Sequence, residues 1–145
     1  KLKKNKGIII HGGGWKKMKD DSIPKELFYN RIREYIGVKK IHNYYGMIEQ
    51  TGSIFLECEN GFLHSSIFSE ILIRDKNLEL CKTKKVGLIQ VFSLLPISYP
   101  GHNILTEDIG VIEGEDNCKC GRLGKYFSVV GRVKGTELRG CSDVH

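Results

Sequence analysis

No apolar run in the chain approaches the ~20 residues of a membrane-spanning helix; the nearest thing at the start is Ile8-Ile9-Ile10. A helical membrane span is therefore not expected. The lysine-rich opening, Lys1-Leu2-Lys3-Lys4-Asn5-Lys6, also lacks the apolar core of a secretory signal behind it, so a soluble protein is expected. The cysteines cannot all pair. There are five, which without a secretory signal argues against a disulfide framework and leaves free thiols, metal ligands or a nucleophile. Patterns for nucleic-acid binding are missing too. Residues 1–42 hold 12 Lys/Arg against 4 Asp/Glu, while residues 43–145 hold 11 against 13, so the net charge of +6 sits in the first part. With no RNP, zinc-finger or helix-turn-helix pattern among them, those lysines read as a solvated face, and no nucleic-acid partner is expected. Repeats and low-complexity segments are absent. So is an initiating methionine: the polar start runs straight into the strand-like Gly7-Ile8-Ile9-Ile10, which reads as a cut inside a longer protein.

What is present is enough for one core of ordinary domain size, with 145 residues of which 40% are hydrophobic. The isoleucine run empties into His11-Gly12-Gly13-Gly14-Trp15, a glycine turn that is neither a P-loop nor a dinucleotide fingerprint. Asp21-Ser22-Ile23-Pro24-Lys25-Glu26 carries helix-start chemistry, with Ser22 as a candidate cap, and Leu27, Phe28, Ile32, Tyr35 and Ile36 recur at helical spacing up to Gly37. Val38 to Ile41 reads as a short strand, followed by a turn at Tyr44-Tyr45-Gly46. Further strands are expected at Ser53 to Cys58, from Phe62, at Glu70 to Arg74, Val86 to Ser93 and Ile109 to Ile112. The fold class is therefore α/β to α+β, with a strand-rich second half.

The chemistry concentrates in His42-Asn43-Tyr44-Tyr45-Gly46-Met47-Ile48-Glu49-Gln50-Thr51. A glycine after tyrosine lets the backbone approach a flat ligand, and a carboxylate three residues on can hold a hard cation such as Mg²⁺ through oxygen. The stretch resembles the Tyr-Gly-Met-Thr-Glu motif of adenylate-forming enzymes, with Ile48 in place of the usual Thr. The resemblance implies the C-terminal portion of the large adenylation domain. It also implies Tyr45 stacked on adenine beside Tyr44, Gly46 and Met47, Glu49 on Mg²⁺, and Gly12, Gly13 and Gly14 along the adenine and the acyl pocket.

Cys58 and His64 flank the turn Glu59-Asn60-Gly61, and Cys118 and Cys120 lie in Cys118-Lys119-Cys120-Gly121-Arg122. Three thiolates and an imidazole match the Cys₃His set of structural zinc, though by spacing alone unrelated free cysteines fit equally well. These two segments resemble the phenylacetate-CoA ligase branch and its acyl-protein synthetase relatives, some of which hold zinc on such residues. The resemblance implies a structural Zn²⁺ on Cys58, His64, Cys118 and Cys120, pinning the long 65–117 excursion. Cys81 reads as structural or incidental.

Thr106-Glu107-Asp108-Ile109-Gly110 resembles the superfamily's ribose element, where an aspartate accepts from both hydroxyls; two acceptors facing two donors make physical sense, and Asp108 is the candidate. Val129-Val130-Gly131-Arg132-Val133-Lys134-Gly135 resembles the hinge whose arginine approaches ribose and phosphate, with Lys134 as a second positive charge. A turn-capping role for Asp108 and plain surface charge at Arg132 and Lys134 remain open on the residues alone. The order of the three motifs is the stronger signal. The chain is thus expected to divide into 1–130, adenylation domain, and 131–145, hinge and tail.

The ending Lys134-Gly135-Thr136-Glu137-Leu138-Arg139-Gly140-Cys141 is similar to that of the acyl-protein synthetases of bacterial bioluminescence, which act in a fatty acid reductase complex. This implies a bacterial cytoplasmic ligase that uses ATP and Mg²⁺ to convert a carboxylic acid, a fatty acid by resemblance, into an acyl-adenylate with AMP as its nucleotide half. Cys141 would then take the acyl group, with Arg139 favouring its thiolate. An acyl-reductase or acyl-transferase protein is the implied partner. Transfer to coenzyme A, as in phenylacetate-type ligases, is the alternative, and a zinc-stabilised module binding nucleotide or a partner without catalysis is the second. With the upstream phosphate loop missing, residues 1–145 alone are expected to show little or no ATP-dependent activity.

Overall fold

The computed structural model describes residues 7–13 and 23–135. They fall into two compact units, one whose described residues run up to Asn43 and one whose described residues run from Tyr44 to Gly135. The first unit holds β1 (Ile8–Gly12), α1 (Lys25–Ile36) and the start of β2 (Lys40–Tyr45). Ser22, the expected cap of α1, lies outside the described residues, and Pro24 occupies the cap position with φ −54° and ψ 142°. Glu26 in the first turn and Arg33 in the last suit the helix dipole. Gly37 ends the helix with φ 85°, a left-handed conformation that glycine adopts at little cost, and its N–H donates to Arg33 O at 3.0 Å. The residue that α1 buries is Tyr29, whose hydroxyl meets His11 Nε2 at 3.1 Å. Tyr35, expected on the apolar stripe, is exposed.

The second unit is an antiparallel sheet in the order β2-β3-β4-β8-β7-β6-β5. Its strands are β3 (Phe55–Glu57), β4 (Leu63–His64), β5 (Ser69–Arg74), β6 (Val86–Ser93), β7 (Asn103–Glu115) and β8 (Lys125–Arg132). Alternation places Ile71 and Ile73 of β5 and Ile89 and Val91 of β6 inward, and these join Phe55, Leu63, Cys81, Ile112 and Phe127 in one core. Cys81 thus packs as an apolar residue.

Three elements depart from the sequence reading. The strand expected at Val38–Ile41 runs instead from Lys40 to Tyr45, because Tyr44 and Tyr45 pair with Leu56 and Phe55, and such aromatic cross-strand pairs favour extension over a turn. The turn begins only at Gly46. The strand expected at Ile109–Ile112 is 13 residues long and bends through two register shifts. Lys125–Arg132, with its residues from Val129 on read as a hinge, is a full strand that carries Gly131 and Arg132 at its end. Phe127 is the reason it stays in the sheet: it is fully buried and packs edge-on against Phe55 at 5.4 Å.

Ile48–Gln50 forms one turn of 3₁₀ helix. Gln50 is buried and donates from Nε2 to Val91 O at 3.2 Å and Gly101 O at 2.7 Å, which ties the motif turn to the end of β6 and the following loop. A Cβ on Gly101 would stand 2.8 Å from Glu49 O, so the close approach of that loop requires glycine. Phe127→Ala should lower the unfolding free energy by about 3–5 kcal/mol through the cavity it leaves. Ile48→Ala, at a position 85% exposed, should change it by less than ~0.5 kcal/mol. Chemical denaturation of the two variants checks the contrast.

Candidate nucleotide and metal sites

Both clusters lie in the second unit, and β8 contributes a side chain to each, Tyr126 against His64 in one and Arg132 in the other. At its start, β4 pairs with β8 so that His64 faces Tyr126, and the Tyr126 ring stacks on the imidazole at 5.6 Å and 22°. Tyr126 is itself held by its hydroxyl, which donates to Asn117 Oδ1 at 2.8 Å, in the loop that carries Cys118 and Cys120. The turn after β3 presents Cys58, closed by Gly61 N–H donating to Cys58 O at 2.9 Å. The ligand atoms of Cys58, His64, Cys118 and Cys120 all lie within 4.8 Å of one another.

Two of those distances can be compared with a metal's requirement. Tetrahedral zinc with Zn–S of ~2.3 Å and Zn–N of ~2.0 Å sets neighbouring ligand atoms about 3.5–3.8 Å apart. Cys58 Sγ and Cys118 Sγ are 4.0 Å apart, and Cys120 Sγ and His64 Nε2 are 3.4 Å apart. Burial, followed by the nearby Arg122 charge, pushes the His64 pKa down and so favours the neutral imidazole that ligates metal. His64 Nδ1 is buried with no hydrogen-bond partner among the described residues. The donor set, its enclosure and its spacing fit a closed tetrahedral ion.

The second cluster gathers residues from three strands. β7 and β8 pair so that Asp108 lies opposite Arg132, with Arg132 Nε 3.2 Å from Asp108 Oδ1 and Arg132 Nη2 3.0 Å from Glu107 Oε2. From β2, the Tyr45 hydroxyl donates to Asp108 Oδ2 at 2.8 Å. Its ring packs on Phe55 and Phe127, both centroids 6.1 Å away. Burial, then the negative charge of Asp108, raises the Tyr45 pKa, so the phenol remains a donor. Thr106 fixes the backbone below: its hydroxyl donates to Ile89 O at 2.8 Å and accepts from Asp108 N–H at 3.1 Å.

The other expected site residues fall as follows. Tyr44 points to the face opposite Tyr45 and is exposed, and Met47 packs against the core. Gly46 follows β2, and Glu49 is exposed on the 3₁₀ turn. Lys134 is exposed in the turn after β8. Gly12 closes β1 in the first unit and Gly13 follows it with φ 81°. Gly14 and Cys141 lie outside the described residues. Sequence reasoning missed Gln50, Thr106 and Tyr126. Thr106 could have been found as a hydroxyl two residues before Asp108, a spacing at which it caps the chain locally.

The family described as Acyl-protein synthetase, LuxE, matches residues 1–145, the whole chain. The chain belongs to the LuxE acyl-protein synthetase family. Among curated relatives of this LuxE chain, the long-chain-fatty-acid–luciferin-component ligase of Vibrio harveyi is 29% identical over 139 residues, covering 92% of this chain and 35% of that protein. The chain thus spans about a third of that relative's length. Two solved structures share the fold. ATP-bound MatB from Rhodopseudomonas palustris aligns with TM-score 0.53 and 16% identity over 86% of this chain and 25% of its own. The luciferase-like enzyme of the nonluminescent mealworm Zophobas morio aligns with TM-score 0.58 and 15% identity over 86% of this chain and 31% of its own. The LuxE chain therefore has the fold of the C-terminal portion of an adenylate-forming domain. Among its described residues no helix is long and apolar enough to cross a membrane.

Proposed function

We propose that this chain is the nucleotide-holding part of an acid–thiol ligase that activates a carboxylic acid with ATP and passes the acyl group to a protein thiol. The observation that carries the reading is the meeting of Tyr45, Asp108 and Arg132, residues of three separate motifs, within hydrogen-bonding and ion-pair distance. Asp108 would accept from the two ribose hydroxyls and Arg132 would reach from ribose toward phosphate. The uncovered surface of Tyr45 would meet adenine, next to the backbone of Gly46 and Met47. Glu49, exposed on its turn, would hold Mg²⁺, which when bound neutralises phosphate charge. Lys134 would add positive charge at the same end.

In the first step a carboxylate oxygen attacks the α-phosphorus of ATP, forming the acyl–phosphate bond as pyrophosphate leaves. A thiolate then attacks the acyl carbon; a thioester forms and AMP leaves. Cys141 is the proposed acceptor, and the name of the V. harveyi relative favours a long-chain fatty acid as the substrate. Within the cytoplasm the acyl group would then pass to a reductase or transferase protein.

We assign Cys58, His64, Cys118 and Cys120 to a structural Zn²⁺. It would fasten β3, β4 and the Cys118–Cys120 loop where the small local core of Cys58, Cys118 and Tyr126 is too slight to do so alone. Metal analysis of purified chain should find about one zinc per chain, leaving two of the five cysteines of the sequence, Cys81 and Cys141, outside the ligand set. Well under one zinc, with all five cysteines of the sequence titrating freely, would contradict the assignment.

The function is tested on the polypeptide at the length of its relatives. Incubation with Mg·ATP and mixed carboxylic acids should give, by intact mass spectrometry, a hydroxylamine-sensitive adduct that maps to Cys141 and is lost in Cys141→Ala. AMP release that requires coenzyme A, with no adduct, would instead establish a CoA ligase. Neither adduct nor AMP release would leave a binding module. Residues 1–145 alone should show little or no pyrophosphate exchange, and robust exchange would contradict that.

A further inference from the structure

Building on the nucleotide reading above, we propose that Tyr45 is a positioning residue whose hydroxyl sets the rotamer of the Asp108 carboxylate, so that the acid presents one remaining lone pair on each oxygen to a ribose diol. An ionised carboxylate offers about four acceptor sites, two on each oxygen. The Tyr45 hydroxyl occupies one on Oδ2 at 2.8 Å, and Arg132 Nε lies 3.2 Å from Oδ1. At least one site on each oxygen is then left, which is what two neighbouring hydroxyl donors need. Asp108 keeps its side chain 23% exposed, so a diol can reach it.

Of the two groups that hold the carboxylate, Tyr45 is the better anchored. Its ring lies against Phe55 and against Phe127, the latter edge-on at 83°, and those two residues are 1% and 0% exposed in the core. The hydroxyl is therefore delivered from a rigid wall. Arg132 is 38% exposed, with Nε 3.2 Å from Asp108 and Nη2 3.0 Å from Glu107, the latter carboxylate 59% exposed. The torsion at the end of an aspartate side chain is otherwise broad and roughly two-fold, so without an anchor the carboxylate plane would wander. Thr106 fixes where Asp108 starts, through its bond to the Asp108 N–H, and Tyr45 fixes where the carboxylate ends. Tyr44, on the opposite face of β2, has no part in this.

Tyr45→Phe separates the two uses of the residue, since it keeps the ring and removes only the hydroxyl. The affinities of the chain for AMP and for 2′,3′-dideoxy-AMP are compared in wild type, Tyr45→Phe, Asp108→Asn and the double variant by NMR-monitored titration, with denaturation curves confirming that each is folded. Wild type should prefer AMP by about tenfold or more, the order of one or two charge-assisted hydrogen bonds. In Tyr45→Phe the preference for AMP over dideoxy-AMP should fall by about fivefold, the part of the loss that belongs to the ribose. In the Asp108→Asn background the same substitution should have no further effect on the preference, because the two residues act as one. A folded Tyr45→Phe that keeps the full preference overturns the inference, as does an equal loss in the Asp108→Asn background. A wild type with no preference for AMP overturns the ribose assignment of Asp108 itself, and this inference with it.

Discussion

Both candidate sites depend on β8 lying between β4 and β7. At one end its pairing with β4 sets Tyr126 over His64, and at the other its pairing with β7 sets Arg132 beside Asp108. Between them Phe127 fills the core and meets both Phe55 and Tyr45. A burial of that size is worth several kcal/mol, whereas the exposed ion pairs at the site add ~0–1 kcal/mol each. The polar groups do not hold the strand in place. They are placed by it.

This order of causes explains why the carboxylate end is built as it is. An acid that binds a ligand, the role proposed for Asp108, has to be fixed before the ligand arrives, or the ligand bears the ordering cost. Here the fixing groups come from three strands whose register is set by apolar packing, so the acid inherits the rigidity of the core. The Cys/His cluster, proposed above as a zinc site, follows a different logic. Cys58 and Cys118 are buried on short, glycine-ended turns with little apolar mass around them, which is where an ion contributes most to folding.

Much of this was legible in the chain because it is periodic or motif-borne. Val86–Ser93 is a strand with the bounds its sequence suggests, α1 ends at Gly37, and the four members of the Cys/His set are recognisable by residue type and lie together in the fold. The strand Lys125–Arg132 was not legible because its residues from Val129 on carry the hinge motif. Gly131 pairs with Ile109 beside a register shift, something only the partner strand can show. Gln50 was missed for a related reason. A buried amide that donates to Val91 O and Gly101 O, far along the chain, leaves no mark on hydropathy. Tyr45 was legible as part of a motif, yet its hydroxyl bond to Asp108, 63 residues away, was not.

The central claim is that residues of three motifs form one nucleotide-binding face. Adding AMP to isotope-labelled chain and mapping which NMR signals move tests it most directly. The account predicts the largest changes at Tyr45, Asp108 and Arg132, saturating together, with little change at the far edge on β5. Changes confined to other residues, or none at millimolar AMP, would contradict it.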